Sequence, residues 1–292
     1  MTDSAAAEPF VSEPHEDEPQ PASRYDDMAE GYARFWAPVI RPGAIRVLDL
    51  VAPDLEPAGT SAILDVGSGT GSLAIATLKR WPWHRVTGID PSGGMLEVAR
   101  DTADQELPEA VARRFRAEVA SADRLPFDDA TFDVAVSSFV LQLVKSRSAA
   151  LREVRRVLKP GGVFAWVAWL RTDRAFEPDR IANELLDEAG FDPPEPDRRP
   201  GDLASVSSAA QGMRRAGYVD VRAHAGEVEH AWDADGYRAF YTEFDEASLF
   251  DDLEPGERDE IRAKLLERLG ALRPEQLTLR LPVVYIVGRA PS

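Results

Sequence analysis

The stretch Ile63-Leu64-Asp65-Val66-Gly67-Ser68-Gly69-Thr70-Gly71-Ser72 is the part of the chain whose spacing most suggests chemistry. An apolar run reaches an acid, and glycine then falls at every second position. A glycine turn at the end of a buried strand lets a ligand approach the backbone closely. The helix that follows offers free N–H groups at its start. Nineteen residues beyond Gly71, a second apolar run, Val86-Thr87-Gly88-Ile89, ends in Asp90. A carboxylate at such a strand end can accept hydrogen bonds from both hydroxyls of a ribose. Together the two features describe a site for an adenosine-containing ligand. The dinucleotide fingerprint is G-x-G-x-x-G, and its last glycine is replaced here by Ser72. A pyrophosphate also prefers a more positive site than this acidic chain offers. Adenosine without a pyrophosphate fits better, and an NAD-linked oxidoreductase is disfavoured.

These residues need elements to hold them. Short strands are predicted at Ser61–Val66, Val86–Ile89, Phe115–Val119, Phe132–Ser138, Val163–Trp169, Tyr218–His224 (running on toward Ala231) and Thr278–Arg289. Helical spacing separates them. It covers Gly94 to about Asp104, and it covers Leu151, Val154 and Leu158, with Gly161 as the stop. It returns at Ile181–Ala189, Leu203–Ala216, Tyr237–Ala247 and Glu257–Leu269. Strands alternating with helices imply a parallel sheet with right-handed crossovers. About fifty residues part the last two strands, more than a hairpin needs, and this mainly helical insertion is expected to form a cap.

The chain has 292 residues, with 51 Asp and Glu against 34 Lys and Arg, for a net charge of −17. A balance this acidic argues against binding a nucleic-acid backbone or docking on an anionic membrane. With no cysteine there is no disulfide, zinc–thiolate site or cysteine nucleophile, and no metal site is expected. Residues 1–23 are rich in acids and prolines and poor in bulky apolar groups. They are expected to form a disordered tail, leaving residues 24–292 as one domain. The start carries neither a basic segment nor an apolar core of a signal peptide, so a cytoplasmic protein is expected.

The motifs in order resemble class I S-adenosylmethionine-dependent methyltransferases. Asp65-Val66-Gly67-Ser68-Gly69-Thr70-Gly71 is similar to their first motif, and Ile89-Asp90-Pro91-Ser92 with Met95 to their second. Leu125-Pro126-Phe127 with Phe132-Asp133-Val134 resembles the approach to strand four, and Leu158-Lys159-Pro160-Gly161-Gly162 the turn before strand five. Ala216-Gly217-Tyr218 with Val221 resembles the entry to strand six. Tyr25-Asp26 with Ala29 and Tyr32 resembles the N-terminal lid of the ubiquinone/menaquinone C-methyltransferase subgroup.

The resemblance implies an α/β fold. Its Rossmann-like sheet has seven mostly parallel strands with an antiparallel last strand, and helices cover both faces. Lid helices over residues 24–48 and a small helical cap over residues 233–272 complete it. It also implies S-adenosyl-L-methionine as the cofactor, held by Tyr25, Asp65, Gly67, Ser68, Gly69, Gly71, Asp90, Pro91, Met95, Ala122, Asp123 and Ser137. Many relatives have cysteine where this chain has Ser68. Relatives often carry an acid four residues before the Leu-Pro-Phe; here that position is Ser121, with Asp123 two residues on.

Several roles stay open on the sequence. Asp65 either holds the loop and reaches the methionine ammonium or caps backbone amides. Met95 packs on adenine or fills core, and Tyr25 and Tyr32 close over the cofactor or simply pack. On the acceptor side, Gln142 follows strand four and Trp169 ends strand five. His224 and His230 are weak candidates for a general base, as is Gln142 for a catalytic contact. The rings Tyr237, Phe240, Tyr241 and Phe244 pack a cap helix or face an apolar acceptor. The function expected is methyl transfer to a small organic molecule by a monomer or homodimer; the alternative is a non-methylating or regulatory protein that keeps the cofactor fold.

Overall fold

The computed structural model describes residues 21–56, 59–191 and 201–292. Residues 1–20 of the expected tail lie outside that description, and the last three of its residues open the first helix. The strands are β1 (Ala62–Val66), β2 (Arg85–Asp90), β3 (Phe115–Val119), β4 (Phe132–Ser138), β5 (Leu158–Trp169), β6 (Val219–Ala231) and β7 (Thr278–Arg289). They form one sheet in the order β3-β2-β1-β4-β5-β7-β6. β1 to β5 pair in parallel, and β7 runs antiparallel to both of its neighbours, β5 and β6. This is the sheet expected from the sequence.

The helices before β1 are α1 (Pro21–Gly31), α2 (Ala37–Ile45) and α3 (Val47–Leu55), with a π-helical turn at Tyr32–Trp36 between the first two. Crossover helices follow as α4 (Ser72–Arg80), α5 (Gly93–Glu106), α6 (Glu109–Ala112) and α7 (Arg147–Val157). Next come α8 (Glu177–Glu188) and α9 (Val206–Arg215), and the insertion between β6 and β7 holds α10 (Ala234–Phe240), α11 (Ala247–Asp252) and α12 (Pro255–Gly270).

Period-two alternation divides the core. Ile63, Val134, Val136, Ala165 and Val167 face α2, α3 and α4, while Leu64, Ala135, Phe164, Trp166 and Ala168 face α7 and α9. Apolar residues on both faces are what a parallel sheet covered on two sides requires. The Lys159–Gly162 turn survives inside β5 as an irregularity: Phe132 pairs with Leu158 but Val134 with Val163, and Gly161 sits at φ +76°.

The cap differs from the expectation in two ways. Tyr237–Ala247 is not one helix: a π-helical turn at Tyr241–Asp245 follows α10, and Glu246, at φ −115° and ψ 29°, ends the run. The cap also recruits α8, outside the expected 233–272. Ile181, Ala182, Leu185 and Leu186 form one apolar stripe on α8 and join Tyr237, Phe240, Tyr241, Ile261, Leu265 and Leu269 in a third cluster. Two phenols fasten the seam. Tyr237 Oη donates to Asp179 at 2.6 Å, and Tyr241 Oη donates to Asn183 at 3.1 Å.

Candidate active site

The glycine loop joins β1 to α4 at the carboxyl edge of the sheet. Gly67, Gly69 and Gly71 all have positive φ, at +70°, +52° and +84°. Each tolerates this for want of a Cβ, but the surroundings differ. A Cβ on Gly67 would stand 2.3 Å from Val140, so the segment after β4 closes directly onto the loop. A Cβ on Gly71 would meet Ala99 of α5 at 3.0 Å. A Cβ on Gly69 would meet nothing within 4 Å, so this part of the loop faces open space where a ligand can lie against the backbone.

Ser68 turns the other way. Its N–H donates to Ile89 O at 2.8 Å and its hydroxyl donates to Asp65 at 3.0 Å, packing down toward Gly88. The serine hydroxyl therefore supplies an anchor beneath the loop.

Asp90 ends β2 and bridges two segments. One carboxylate oxygen accepts from Gly69 N–H and the other from Ser92 N–H, each at 3.0 Å. The acid thus sets the loop's position as well as facing the space beside it, and its carboxyl is pushed above the usual range, chiefly by burial. Ser92 caps α5 by accepting from Met95 N–H at 3.0 Å. Pro91 is exposed beside it, and Met95 is buried under the helix start.

Asp65 is fully buried below the loop, with one oxygen bonded to Ser68 and Oδ1 without a hydrogen-bond partner. Burial raises its pKa to about 7, against the smaller lowering effect of the Ser68 hydroxyl. The folded state therefore holds a proton on Asp65 that an unfolded carboxyl near 3.9 has lost. Stability falls as pH rises through the window from about 4 to about 7, and the burial of Asp90 adds a slope of the same sign. Asp65→Asn should flatten much of that decline, measured as Tm against pH. An unaltered profile would show that Asp65 is not the buried acid responsible.

The sequence motifs contained Asp26, but nothing in its type or spacing marked it as a site residue. It lies on α1 and accepts from Ser92 Oγ at 2.6 Å and from Gly94 N–H at 2.9 Å. These bonds hold its carboxyl below the ordinary value, the Ser92 hydroxyl contributing most. Gly94 permits the contact, since a Cβ there would stand 3.1 Å from Asp26 O. Asp26 therefore ties α1 to the same helix start that Asp90 holds. Tyr32 is tucked behind this tie, where burial and the nearby Tyr25 and Asp90 push its phenol pKa up. Asp26→Ala should speed amide exchange across residues 25–36, with a smaller loss of cofactor affinity than at Asp90. Unchanged exchange there would remove the tie.

The remaining expected cofactor residues are placed unevenly. Ala122 is buried, while Asp123 is exposed and accepts from Ser121 Oγ at 2.8 Å. Ser137 is buried and donates to Val66 O at 2.7 Å, so its hydroxyl ties β4 to β1 at the root of the loop. Tyr25 is half-buried beside Asp26.

On the acceptor side, Phe139 and Trp169 stack with ring centres 4.1 Å apart at the ends of β4 and β5. Gln142 is buried after β4, and its Oε1 has no partner. His224 is exposed on β6 and stacks on Tyr285. It stands four strand spacings from β1, about 19 Å across the sheet, so it is not brought to the glycine loop. His230 lies on the same strand with its ring 4.4 Å from Trp232, and burial lowers its pKa. Rings of the N-terminal π-helical turn meet rings of the β6–β7 insertion: Trp36 stacks on Phe240 at 5.7 Å, Phe35 on Phe244 at 6.1 Å, and Tyr32 meets Phe244 edge-on at 6.5 Å.

A seven-stranded sheet of this order, with a glycine loop after β1 and an acid after β2, is a Rossmann-like α/β fold. Residues 64–166 match the methyltransferase domain family. The type read from the motifs, similar to the ubiquinone/menaquinone C-methyltransferases, agrees with the relatives found. A malonyl-[acyl-carrier protein] O-methyltransferase of Geobacter sulfurreducens is 39% identical over 122 residues, which are 41% of this chain and 42% of that protein. A ubiquinone/menaquinone biosynthesis C-methyltransferase of Brucella anthropi is 36% identical over 148 residues, 49% of this chain and 52% of that protein. The chain thus spans about half the length of the curated relatives it matches. The YcgJ protein of Bacillus subtilis shares the fold with a TM-score of 0.55 at 22% identity, over 85% of this chain and 99% of that one.

Among the described residues, no helix is long and apolar enough to cross a membrane. No group of three or more His, Cys, Asp or Glu among them could hold a metal ion.

Proposed function

We propose that the protein transfers the methyl group of S-adenosylmethionine to a small organic acceptor. The observation that carries this reading is the joining of Gly69 N–H to Asp90 beside an open backbone face, inside the segment that matches the methyltransferase family. The residues present fit the cofactor. Asp90 keeps lone pairs free for ribose hydroxyls after accepting two backbone N–H groups. Gly69 allows the methionine portion to approach the chain, while Gly67 lets Val140 pack against the loop. Asp65, buried below with its pKa raised to about 7, offers the loop an oxygen acceptor that a bound ammonium would draw toward its ionised form. Ala122 and Met95 supply apolar surface for adenine, with Asp123 at its edge.

The sulfonium supplies an already activated methyl group. The chain's own task is to align the acceptor in line with it and to exclude water, which can contribute on the order of 7–11 kcal/mol. Lid and cap suit that task because their rings form a continuous apolar wall from Tyr32 to Phe240. Gln142, with its free buried amide oxygen, is the polar group we assign to orienting an acceptor; His224 and His230 stand farther out on β6.

A net charge of −17 supports a small-molecule acceptor over a nucleic acid and an anionic membrane, and the protein works as a monomer or homodimer in this reading. The test is incubation with methyl-labelled S-adenosylmethionine and a low-mass metabolite extract. Label should enter the small-molecule fraction as S-adenosylhomocysteine is released. Tight cofactor binding without any transfer across a broad acceptor panel would instead support a non-methylating protein.

A further inference from the structure

The cofactor site uses the carboxyl edge of the sheet. At the opposite edge, where β5 and β6 begin and β7 ends, a cavity of about 600 Å3 opens beside α3. Its floor is aliphatic, made of the buried residues Val163, Val221 and Val287, and its lining also carries Arg214, Arg222 and Arg289 with the carboxylates Asp54 and Asp220. Arg289 is committed to Asp54 at 2.7 Å and to Gly161 O at 3.2 Å. Arg214 donates to Val221 O at 3.1 Å, and among the described residues neither it nor Arg222 is paired with a carboxylate. With Asp54 taken by Arg289, these two guanidinium groups face one remaining carboxylate, Asp220, a cationic balance that runs against the composition of a chain with 51 acids and 34 bases.

The backbone is shaped at the same place. The pairing of β6 with β7 slips between Val219 and Arg222, and Asp220, a non-glycine residue, sits at φ +51°. A bulge of this kind re-aims the side chains that follow it, and left-handed strain at a non-glycine residue concentrates at functional sites. Here the residue that follows the strained position by two is Arg222, on the cavity rim.

We propose that this cleft is a second binding site, separate from the methyl-transfer site, for a carboxylate carried on an aliphatic body. A planar guanidinium takes a carboxylate through two parallel hydrogen bonds, and the valine floor takes the hydrocarbon. A cavity of this volume falls in the range of small-molecule sites. A bare inorganic anion would engage the rim and leave the floor empty.

The test uses the full chain and octanoate as the probe, with octanol and inorganic phosphate as comparators, followed by titration calorimetry. Octanoate should bind more tightly than either comparator. The double variant Arg214→Ala/Arg222→Ala should lose about tenfold or more of that affinity, as expected on removing charge-assisted bonds, while Arg222→Lys retains part of it. Binding of S-adenosylhomocysteine should be the same in all of these, which separates this site from the cofactor reading. The proposal is overturned if octanoate does not bind, if octanol binds equally well, if the double variant binds octanoate unchanged, or if octanoate and S-adenosylhomocysteine compete.

Discussion

Asp90→Ala weakens S-adenosylmethionine binding at least tenfold. The acid does two things at once. It faces the space where the ribose hydroxyls would lie, and it fixes Gly69 and Ser92 through their N–H groups. A hydrogen bond to a charged group is worth about 1.5–3 kcal/mol, and releasing the loop adds to that loss. Asp90→Asn should lie between the two, because an amide keeps one acceptor oxygen. Titration calorimetry on variants with unchanged circular dichroism reads the effect directly. A folded Asp90→Ala protein with native affinity would move the cofactor elsewhere.

The second large effect separates two glycines that look equivalent in sequence. Gly67→Ala forces a Cβ to 2.3 Å from Val140, and Val140 Cβ itself would stand only 2.8 Å away. Left-handed strain of about 1–2 kcal/mol and overpacking of about 1–3 kcal/mol together give roughly 2–5 kcal/mol of lost stability. For a chain of this size, with an unfolding entropy of about 0.6 kcal/mol/K, that corresponds to a Tm lower by roughly 3–8 °C. Gly69→Ala meets open space and carries the strain alone, about 1–2 kcal/mol, yet its methyl group projects into the ligand's side of the loop. Gly67→Ala should therefore be mainly a stability variant and Gly69→Ala mainly a binding variant. Thermal melts with cofactor titrations check this, and equal losses of Tm in both would contradict the loop geometry.

Much of the sheet was legible because strands buried on both faces read as near-continuous apolar runs. Phe132–Ser138 and Thr278–Arg289 have the bounds expected, and the loop after β1 announces itself through three alternating glycines. What escaped depends on contacts between distant residues. Asp26 meets Ser92 and Gly94 across 66 and 68 positions, and no local pattern reports such a partner. The place of α8 in the cap is of the same kind: its apolar stripe reads equally well as sheet packing until Tyr237 and Tyr241 supply partners 58 residues away. Ser137 gains a contact that its sequence neighbours do not announce, its hydroxyl donating to Val66 O across 71 positions. The aromatic residues of lid and cap were expected to be either core or a wall for an acceptor. Trp36 with Phe240 and Phe35 with Phe244 shows that they pack on one another across the two segments.

Hydrogen exchange in the presence and absence of S-adenosylhomocysteine tests most directly that the cofactor lies between the glycine loop, Asp90 and the segment that Asp26 ties down. The account predicts new protection at three separated segments together: residues 66–71, residues 90–95 and residues 25–36. Protection in the first two should be lost in Asp90→Ala. Binding that leaves the exchange of all three segments unchanged, or protects only a surface elsewhere on the chain, would contradict the account.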